Sequence, residues 1–253
     1  MTDGRHDAPQ FWQDGVRDPT ATPRHRLLAT WIGRRIRRAD GLYRLGGLTF
    51  EVPPGRSPAL VARLRLGTYE APERRAIRRF LPADAKVLEL GGCLGVVSAL
   101  INRRLADPAQ HVVVEPDAET AAVLRRNRDR NGCAFHVAEG AVTLRRGLRL
   151  ARRYNPASST VYRGEQGTLI DAFTVDELAA RHGVDFDTIV MDIEGAERYF
   201  VREFPGALAR CRLVIMEIHA HLGWDGQGEV RAALSAAGLS RRAAIRGTEV
   251  WAR

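Results

Sequence analysis

From Lys86 onward the chain alternates short apolar runs with amphipathic stretches of helical period. This alternation is typical of a parallel sheet with helices on both faces, because each buried strand is followed by a crossover helix. It predicts strands at 86–90, 111–115, 134–138, 187–192 and 211–218, with a terminal pair at 239–244 and 247–252. It predicts helices near 95–105, 117–130, 174–182, 195–203 and 226–237. We therefore expect a doubly wound, Rossmann-like α/β domain.

The region before the sheet has a different pattern. Residues 1–24 are rich in charge, proline and glycine and show no period, which indicates a loosely ordered arm. Apolar residues at helical spacing within 27–36 predict a helix, which either packs on the core or meets a partner or membrane. Two further elements are predicted before the sheet, an extended piece at 48–52 and a helix at 73–81. We divide the chain into an N-terminal arm and helical extension, 1–83, and a sheet domain, 84–253.

Residues 142–170 interrupt the alternation inside the sheet domain. They contain turn-forming residues at short intervals: Gly147, Asn155, Pro156, Ser158, Ser159, Gly164 and Gly167. This composition predicts an irregular excursion rather than a core element. Long excursions in compact domains are often functional, so the segment is a candidate substrate loop.

The first predicted strand runs into a glycine turn that contains Glu89, Gly91 and Gly95. Glycines permit backbone conformations and a close ligand approach that a Cβ would block. The turn lacks the Gly-x-Gly-x-x-Gly spacing that seats a pyrophosphate at a helix N-terminus, which favours a cofactor without phosphates. Such a turn can also be purely structural.

Two later strand ends extend this candidate cofactor site. Glu115 ends an apolar run twenty residues after Gly95, where a carboxylate can accept hydrogen bonds from both ribose hydroxyls. Glu139 and Ala141 follow the third strand, where such folds line an adenine. The combination predicts a nucleoside cofactor, and S-adenosylmethionine fits it, with Glu89 engaging the cationic amino-acid part.

The fourth and fifth strands end in acids and histidines. Asp192 and Glu194 follow the fourth strand, and Glu217, His219 and His221 recur at period two along the fifth. If the fifth strand stays extended, these last three side chains lie on one face. Carboxyl ends of parallel strands face the same crevice, so we expect the acids and imidazoles to converge near the reacting centre.

The charge and composition narrow the classes of function. The formal net charge is +9, but Lys86 is the only lysine, the arginines are spread over the whole length, and no aromatic residues interleave with them. This distribution of charge does not favour a nucleic-acid partner, and it is compatible with a small polar or anionic acceptor. There is no apolar stretch long enough to span a membrane and no secretory leader, and the three cysteines are widely spaced. These features favour reduced thiols and a cytoplasmic location.

Five motifs in order resemble the FkbM family of methyltransferases. They are Gly67-Thr68-Tyr69-Glu70 with Glu73-Arg74, the turn from Glu89 to Gly95, Glu115-Pro116-Asp117, the stretch from Met191 to Glu197, and the stretch from Ile215 to His219. The first glycine motif of the family usually has Asp and Gly-Ala-Asn, where this chain has Glu89 and Gly91-Gly92-Cys93, and a usual Lys is replaced by Val190. The resemblance implies a class I methyltransferase sheet that uses S-adenosylmethionine to methylate a hydroxyl, commonly on a sugar, polyketide or other secondary metabolite.

The resemblance also suggests roles for particular residues. His219 is the first candidate for the base that takes the hydroxyl proton, with Asp192 or Glu194 as alternates, and Asp192 and Glu70 are candidates for the cofactor pocket. Asp192, Glu194, Glu217 and His219 could hold a divalent cation, but cofactor or substrate charge could relieve the acid repulsion equally well, so we predict no metal. Three alternatives stay open: a nucleic-acid methyltransferase, a nicotinamide-dependent oxidoreductase, and a protein that binds the cofactor without catalysis.

Overall fold

The computed structural model describes residues 41–151, 160–162, 167–219 and 223–253. The predicted arm, the helix predicted within 27–36 and His221 lie outside these ranges. The strands are β1 Leu42–Leu45, β2 Leu48–Glu51, β3 Val87–Leu90, β4 His111–Glu115, β5 His136–Glu139, β6 Ala141–Val142, β7 Arg149–Ala151, β8 Thr160–Tyr162, β9 Thr168–Leu169, β10 Ala172–Phe173, β11 Thr188–Met191, β12 Leu213–Glu217, β13 Ser240–Ile245 and β14 Thr248–Ala252. The helices are α1 Pro58–Arg65, α2 Ala71–Phe80, α3 Val96–Asn102, α4 Ala118–Arg130, α5 Val175–His182, α6 Glu197–Glu203, α7 Pro205–Arg210 and α8 Gly223–Ala236.

A seven-stranded sheet forms the centre of the molecule, in the order β5-β4-β3-β11-β12-β14-β13. The first five strands in this order are parallel, and β14 runs antiparallel to both of its neighbours. The chain steps outward from β3 to β5 and then returns to β11 on the other side of β3. The order reverses between β3 and β11, and ligands of doubly wound sheets bind outside the strand ends at such a point. The predicted fold class, a Rossmann-like sheet of the class I methyltransferase type, is confirmed.

Helices cover both faces of this sheet. On one face Val87 and Ile215 pack with Ile77 of α2 and Ile101 of α3. On the other, Leu88, Ile189 and Val214 pack with residues of α5, α6 and α8, among them Leu178, Phe200 and Leu234. Because both faces are buried, the central strands are continuous apolar runs rather than alternating ones.

The segment before the sheet is attached to it by side-chain hydrogen bonds. Asn127 of α4 and Asn131, which caps the end of that helix, accept hydrogen bonds from the backbone N–H groups of Glu51 and Thr49, at 2.6 and 2.9 Å. Helix α2 belongs to the layer that covers the sheet. The division of the chain at residue 84 stays a prediction.

Three predicted elements differ from the structure. The third strand begins at His136 rather than 134, because α4 ends in a turn at Gly132 and Phe135 packs against Val113 and Leu124. The segment 142–170 is not wholly irregular: β7 pairs with β8 and β9, and Leu148 and Leu150 are buried. The fifth strand spans Leu213–Glu217 rather than 211–218, so His219 lies just past its end.

Within the described ranges, no helix combines the length and apolarity needed to cross a membrane.

Candidate active site

The turn after β3 requires glycine at position 91. Gly91 has a φ of +94°, and a Cβ on it would lie 2.0 Å from the carbonyl oxygen of Asp192. The backbone N–H of Asp192 donates to the carbonyl oxygen of Leu90 at 3.0 Å. The glycine turn and the loop after β11 are therefore in backbone contact, which brings the two predicted halves of the site together.

Glu115 lies over this turn from the end of β4. Its carboxylate accepts hydrogen bonds from the backbone N–H groups of Cys93 and Asp117, at 2.9 and 3.0 Å. Burial raises the pKa of Glu115 to about 7, although the two hydrogen bonds oppose that shift. Each carboxylate oxygen has more than one acceptor site, so two ribose hydroxyls could still donate to it. The structure thus brings together the predicted glycine turn and the predicted ribose acid.

Cys93 adopts a backbone conformation that is unusual for its side chain. Its φ is +44°, in the left-handed region that favours glycine and asparagine. The Asn usual at this position of the family motif suits that conformation better than Cys. The thiol lies 3.3 Å from the hydroxyl of Tyr69, and burial raises its pKa to about 12. Cys93 is therefore a neutral, unreactive thiol, and its backbone N–H is what it contributes to Glu115.

Arg56 reaches the same region from the segment before the sheet, a contact that sequence reasoning missed. Its buried guanidinium donates to the hydroxyl of Thr120 at 2.9 Å, and that hydroxyl donates to Asp117 at 3.0 Å. Its positive charge also acts to lower the pKa of Glu115. An arginine so far upstream carries no local signal for this role.

Glu89 lies in the interior behind the turn. Only 2% of the residue is exposed, one carboxylate oxygen accepts from the hydroxyl of Ser98 at 2.8 Å, and the other lies 2.9 Å from Nε2 of the fully buried His111. Both oxygens are therefore engaged within the protein. The role of Glu89 toward the cofactor stays a prediction, and any contact would have to reach it past these partners.

Glu139 and Ala141 lie at the outer side of the cofactor region. Glu139 is partly exposed and forms an ion pair with Arg125 of α4. Gly140, between them, donates its N–H to the carbonyl oxygen of Glu115 at 3.0 Å, and Ala141 donates to Asp171 at 2.9 Å. They therefore flank the strand end that carries Glu115.

His219 lies just past the end of β12, and carboxylates face both of its ring nitrogens. Nδ1 is 2.9 Å from Oε1 of Glu197, and Nε2 is 3.6 Å from both Oδ1 of Asp192 and Oε2 of Glu194. Burial acts to lower the pKa of His219, but the hydrogen bond and charge of Glu197, with the charges of Asp192 and Glu194, raise it to about 10. The ring is consequently an imidazolium at neutral pH before a ligand binds.

Further carboxylates surround this imidazole. Burial raises the pKa of Asp192 and of Glu217 to about 7, and neighbouring acids add to both shifts. Burial, together with the charges of Glu73 and Asp192, raises the pKa of Glu70 well above its usual range. The predicted convergence of Asp192, Glu194, Glu217 and His219 is present, and Glu70 joins it from the start of α2.

Glu197 and Glu73 are the acids of this crevice that received no role from the sequence. Glu197 is fully buried, and Glu73 is buried and accepts a hydrogen bond from the hydroxyl of Thr248. Glu197 belongs to the motif from Met191, which was the available signal. One ligand atom each from Asp192, Glu194 and His219 lies within 4.8 Å of the others, a spacing that a cation could occupy.

The fold is similar to those of several solved methyltransferases. An O-methyltransferase from Bacillus cereus in complex with SAH has 13% sequence identity over 93% of this chain and 94% of that chain, with a TM-score of 0.43. A methyltransferase from Pyrococcus furiosus has 12% identity over 90% of this chain and 96% of that chain, with a TM-score of 0.46. A search of curated proteins found no match.

The family comparison is more specific. Residues 89–240, more than half of the chain, match the family model described as the methyltransferase FkbM domain. This range contains the glycine turn, Glu115, the acids after β11 and His219. The chain therefore belongs to the FkbM family of methyltransferases.

Proposed function

We propose that this protein is an S-adenosylmethionine-dependent O-methyltransferase that acts on a hydroxyl of a small molecule, such as a sugar or secondary metabolite. The observation that carries the proposal is the position of His219, whose Nε2 faces Asp192 and Glu194 at 3.6 Å beside the turn that Glu115 covers. A base and a nucleoside site thus share one crevice. We assign the methyltransferase domain to residues 84–253 and its extension to 1–83.

The residues of the crevice suit this cofactor. Glu115 is the ribose acid in the proposal, and Gly91 lets the turn beneath it approach the loop that carries Asp192. Glu70, Asp192 and Glu217 form no ion pair with an arginine or lysine in the described part of the chain, whereas Glu139, Glu203, Glu229 and Glu249 each do. A sulfonium and an ammonium group would offset this repulsion. Gly95 and Ala141 complete the proposed pocket, with Glu139 at its rim.

The chemistry asks the protein chiefly to hold and align two ligands. When bound, S-adenosylmethionine supplies an electrophilic methyl group. His219 holds the acceptor hydroxyl and takes its proton, which requires its pKa to fall from about 10 toward neutrality. Positive charge that enters the acid crevice has this effect, because it weakens the attraction of Asp192 and Glu194 for the imidazolium proton. Asp192 and Glu194 are the alternate bases.

Each rival function lacks a supporting feature in the site. An oxidoreductase would use Glu115 on a ribose equally well, but the turn lacks the glycine spacing for a pyrophosphate. A nucleic-acid methyltransferase is favoured only by the net charge of +9. A protein that binds the cofactor without transfer would not need a base beside it.

The test is transfer of a labelled methyl group to a panel of sugars, amino sugars and polyketide alcohols, with transfer RNA and duplex DNA as separate arms. The proposal expects labelled product from a small hydroxyl compound and none from nucleic acid. Transfer to nucleic acid alone would overturn the acceptor class. If calorimetry detected binding of NAD but of neither S-adenosylmethionine nor S-adenosylhomocysteine, the assignment of the cofactor would be overturned.

The role of His219 is tested separately. His219→Gln should lower turnover by at least about 100-fold, the range for a lost general base, and change the cofactor Kd by less than about threefold. His136→Gln is the matched control, because His136 begins β5 and lies at the opposite end of the strands. Equal turnover in both variants would remove His219 from the mechanism.

A further inference from the structure

Glu197 is the most deeply buried carboxylate of the crevice. It is the first residue of α6, and its side chain has 0% exposure. Oε1 accepts hydrogen bonds from Nδ1 of His219 at 2.9 Å and from the backbone N–H of Gly195 at 3.2 Å. The second donor fixes the carboxylate, so the imidazole meets an acceptor whose position is set by the backbone.

This geometry determines which nitrogen of His219 faces the ligands. A carboxylate against Nδ1 keeps the proton on Nδ1, because the neutral tautomer with a bare Nδ1 would place two acceptors against each other. Nε2 is then the nitrogen that faces Asp192 and Glu194 and can accept a proton. Glu197 thus specifies the tautomer of His219 and holds the Nδ1 side of its ring.

A role in stability explains Glu197 poorly. Oε2 of this residue is buried and has no hydrogen-bond partner among the described residues. A buried carboxylate with an unsatisfied oxygen is unfavourable for folding, so its presence needs another explanation. The arginines of the same helix do not neutralise this carboxylate, because Arg198 and Arg202 both form ion pairs with Glu229. In the described part of the chain, the cation that pairs with Glu197 is His219.

We propose that Glu197 is the positioning residue of methyl transfer: it holds Nδ1–H of His219, so that Nε2 takes the proton of the acceptor hydroxyl. The proposal rests on the proposed function. As the acceptor oxygen bonds to the methyl carbon, its proton passes to Nε2 and the electron pair of the broken C–S bond remains on sulfur. Glu197 then stabilises the imidazolium that this step creates.

The first test uses the native protein. Nitrogen chemical shifts of His219, measured by NMR at a pH where the ring is neutral, report which nitrogen carries the proton. The proposal expects the proton on Nδ1. A neutral ring protonated at Nε2 would overturn it, whatever the activity of any variant.

The second test uses Glu197→Gln, which keeps an acceptor oxygen for Nδ1–H but removes the charge. We expect turnover to fall about 10- to 100-fold with the cofactor Kd unchanged, and the ascending limb of the pH–rate profile to move to lower pH. The pKa of His219 should fall, because the variant loses the negative charge closest to the ring. Asp192, Glu194 and Glu217 remain to favour the imidazolium. Glu197→Asp, which retains the charge, should recover part of both changes.

Glu203→Gln is the matched control, because Glu203 ends the same helix and pairs with Arg145 and Thr143 away from the crevice. It should leave turnover and the pKa of His219 unchanged. Native turnover and an unmoved pH profile in Glu197→Gln would overturn the positioning role. If the native protein transfers no methyl group, the proposed function fails, while the NMR measurements still decide whether Glu197 sets the state of His219.

Discussion

The backbone N–H of Cys93 donates to the carboxylate of Glu115 across 2.9 Å, which ties the glycine turn to the end of the neighbouring strand. The protein's own backbone holds this carboxylate, so the turn itself orients the acid that is proposed to bind the ribose. Preorganisation of this kind lowers the cost of binding.

Replacement of that acid should weaken cofactor binding. Glu115→Gln offers one acceptor oxygen instead of two and turns an amide N–H toward a backbone donor, so we expect the Kd for S-adenosylhomocysteine to rise about 10- to 100-fold, equivalent to about 1.5–3 kcal/mol. Calorimetry measures the change. Glu177→Gln, which removes an exposed ion pair with Arg146, is the control and should have an effect of less than about 1 kcal/mol. Similar affinities for both variants would contradict the assignment of Glu115.

Cofactor affinity should depend on pH near neutrality. The pKa values of Glu115, Asp192 and Glu217 are each about 7, so these groups take up protons as the pH falls from 8 to 6, while His219 stays protonated in the ligand-free protein. The ionised carboxylates accept the ribose hydroxyls and attract the cationic groups. Affinity should therefore fall as the pH drops through about 7, by up to about tenfold per pH unit for each linked proton.

Calorimetry at pH 6.5 in two buffers of different ionisation enthalpy counts the protons released on binding. Glu115→Gln should release fewer protons than the native protein. Affinity that is constant between pH 6 and 8 would show that the three carboxyl groups do not titrate with binding.

The backbone contact at Gly91 should make that glycine irreplaceable. Gly91→Ala combines an unfavourable φ of +94° with a Cβ 2.0 Å from a carbonyl oxygen, and we expect a loss of about 3–5 kcal/mol in the free energy of unfolding. Gly55→Ala is the matched control, because Gly55 has a φ of +88° but no atom within 4 Å of the added Cβ. It should cost only about 1–2 kcal/mol. Denaturant unfolding of both variants measures the difference, and equal losses would show that φ alone is responsible.

Removal of metal should leave methyl transfer intact. The raised pKa of His219 opposes metal binding at pH 7, because a divalent ion and the ring proton compete for the same nitrogen. Activity measured after exhaustive chelation should equal that of untreated protein, with or without added Mg²⁺. Loss on chelation and recovery with Mg²⁺ would instead assign Asp192, Glu194 and His219 to a cation.

The elements of the fold that could be predicted are those whose burial shows in the apolar pattern of their own residues. The three consecutive valines of β4 are all buried, because helices cover both faces of the sheet. Strand β1 was missed because it is short and only Tyr43 and Leu45 are buried, through contacts with β2 and neighbouring helices. Helix α1 was also missed, although Ser57 as N-cap and Pro58 at the first helical position are readable signals.

The residues of the candidate site also divide into those that the sequence could predict and those that it could not. The glycine turn, Glu115 and the acids after β11 could be found because each follows a recognisable strand. The ring of His219 depends instead on Glu197, which lies 22 residues earlier and reaches it only when α6 starts beside the end of β12. The hydrogen bond from Arg56 to Thr120, beside Asp117, is equally a product of tertiary packing. Sequence patterns located the acids of the crevice but not the contacts that orient them.

The contact between Gly91 and Asp192 also limits how such a chain can diversify. With no space for a side chain between these two loops, neither can be reshaped without displacing the other. New acceptor preferences must therefore arise at the periphery, from the insertion between β5 and α5 and from the segment that precedes β3, while the shared inner wall stays constant.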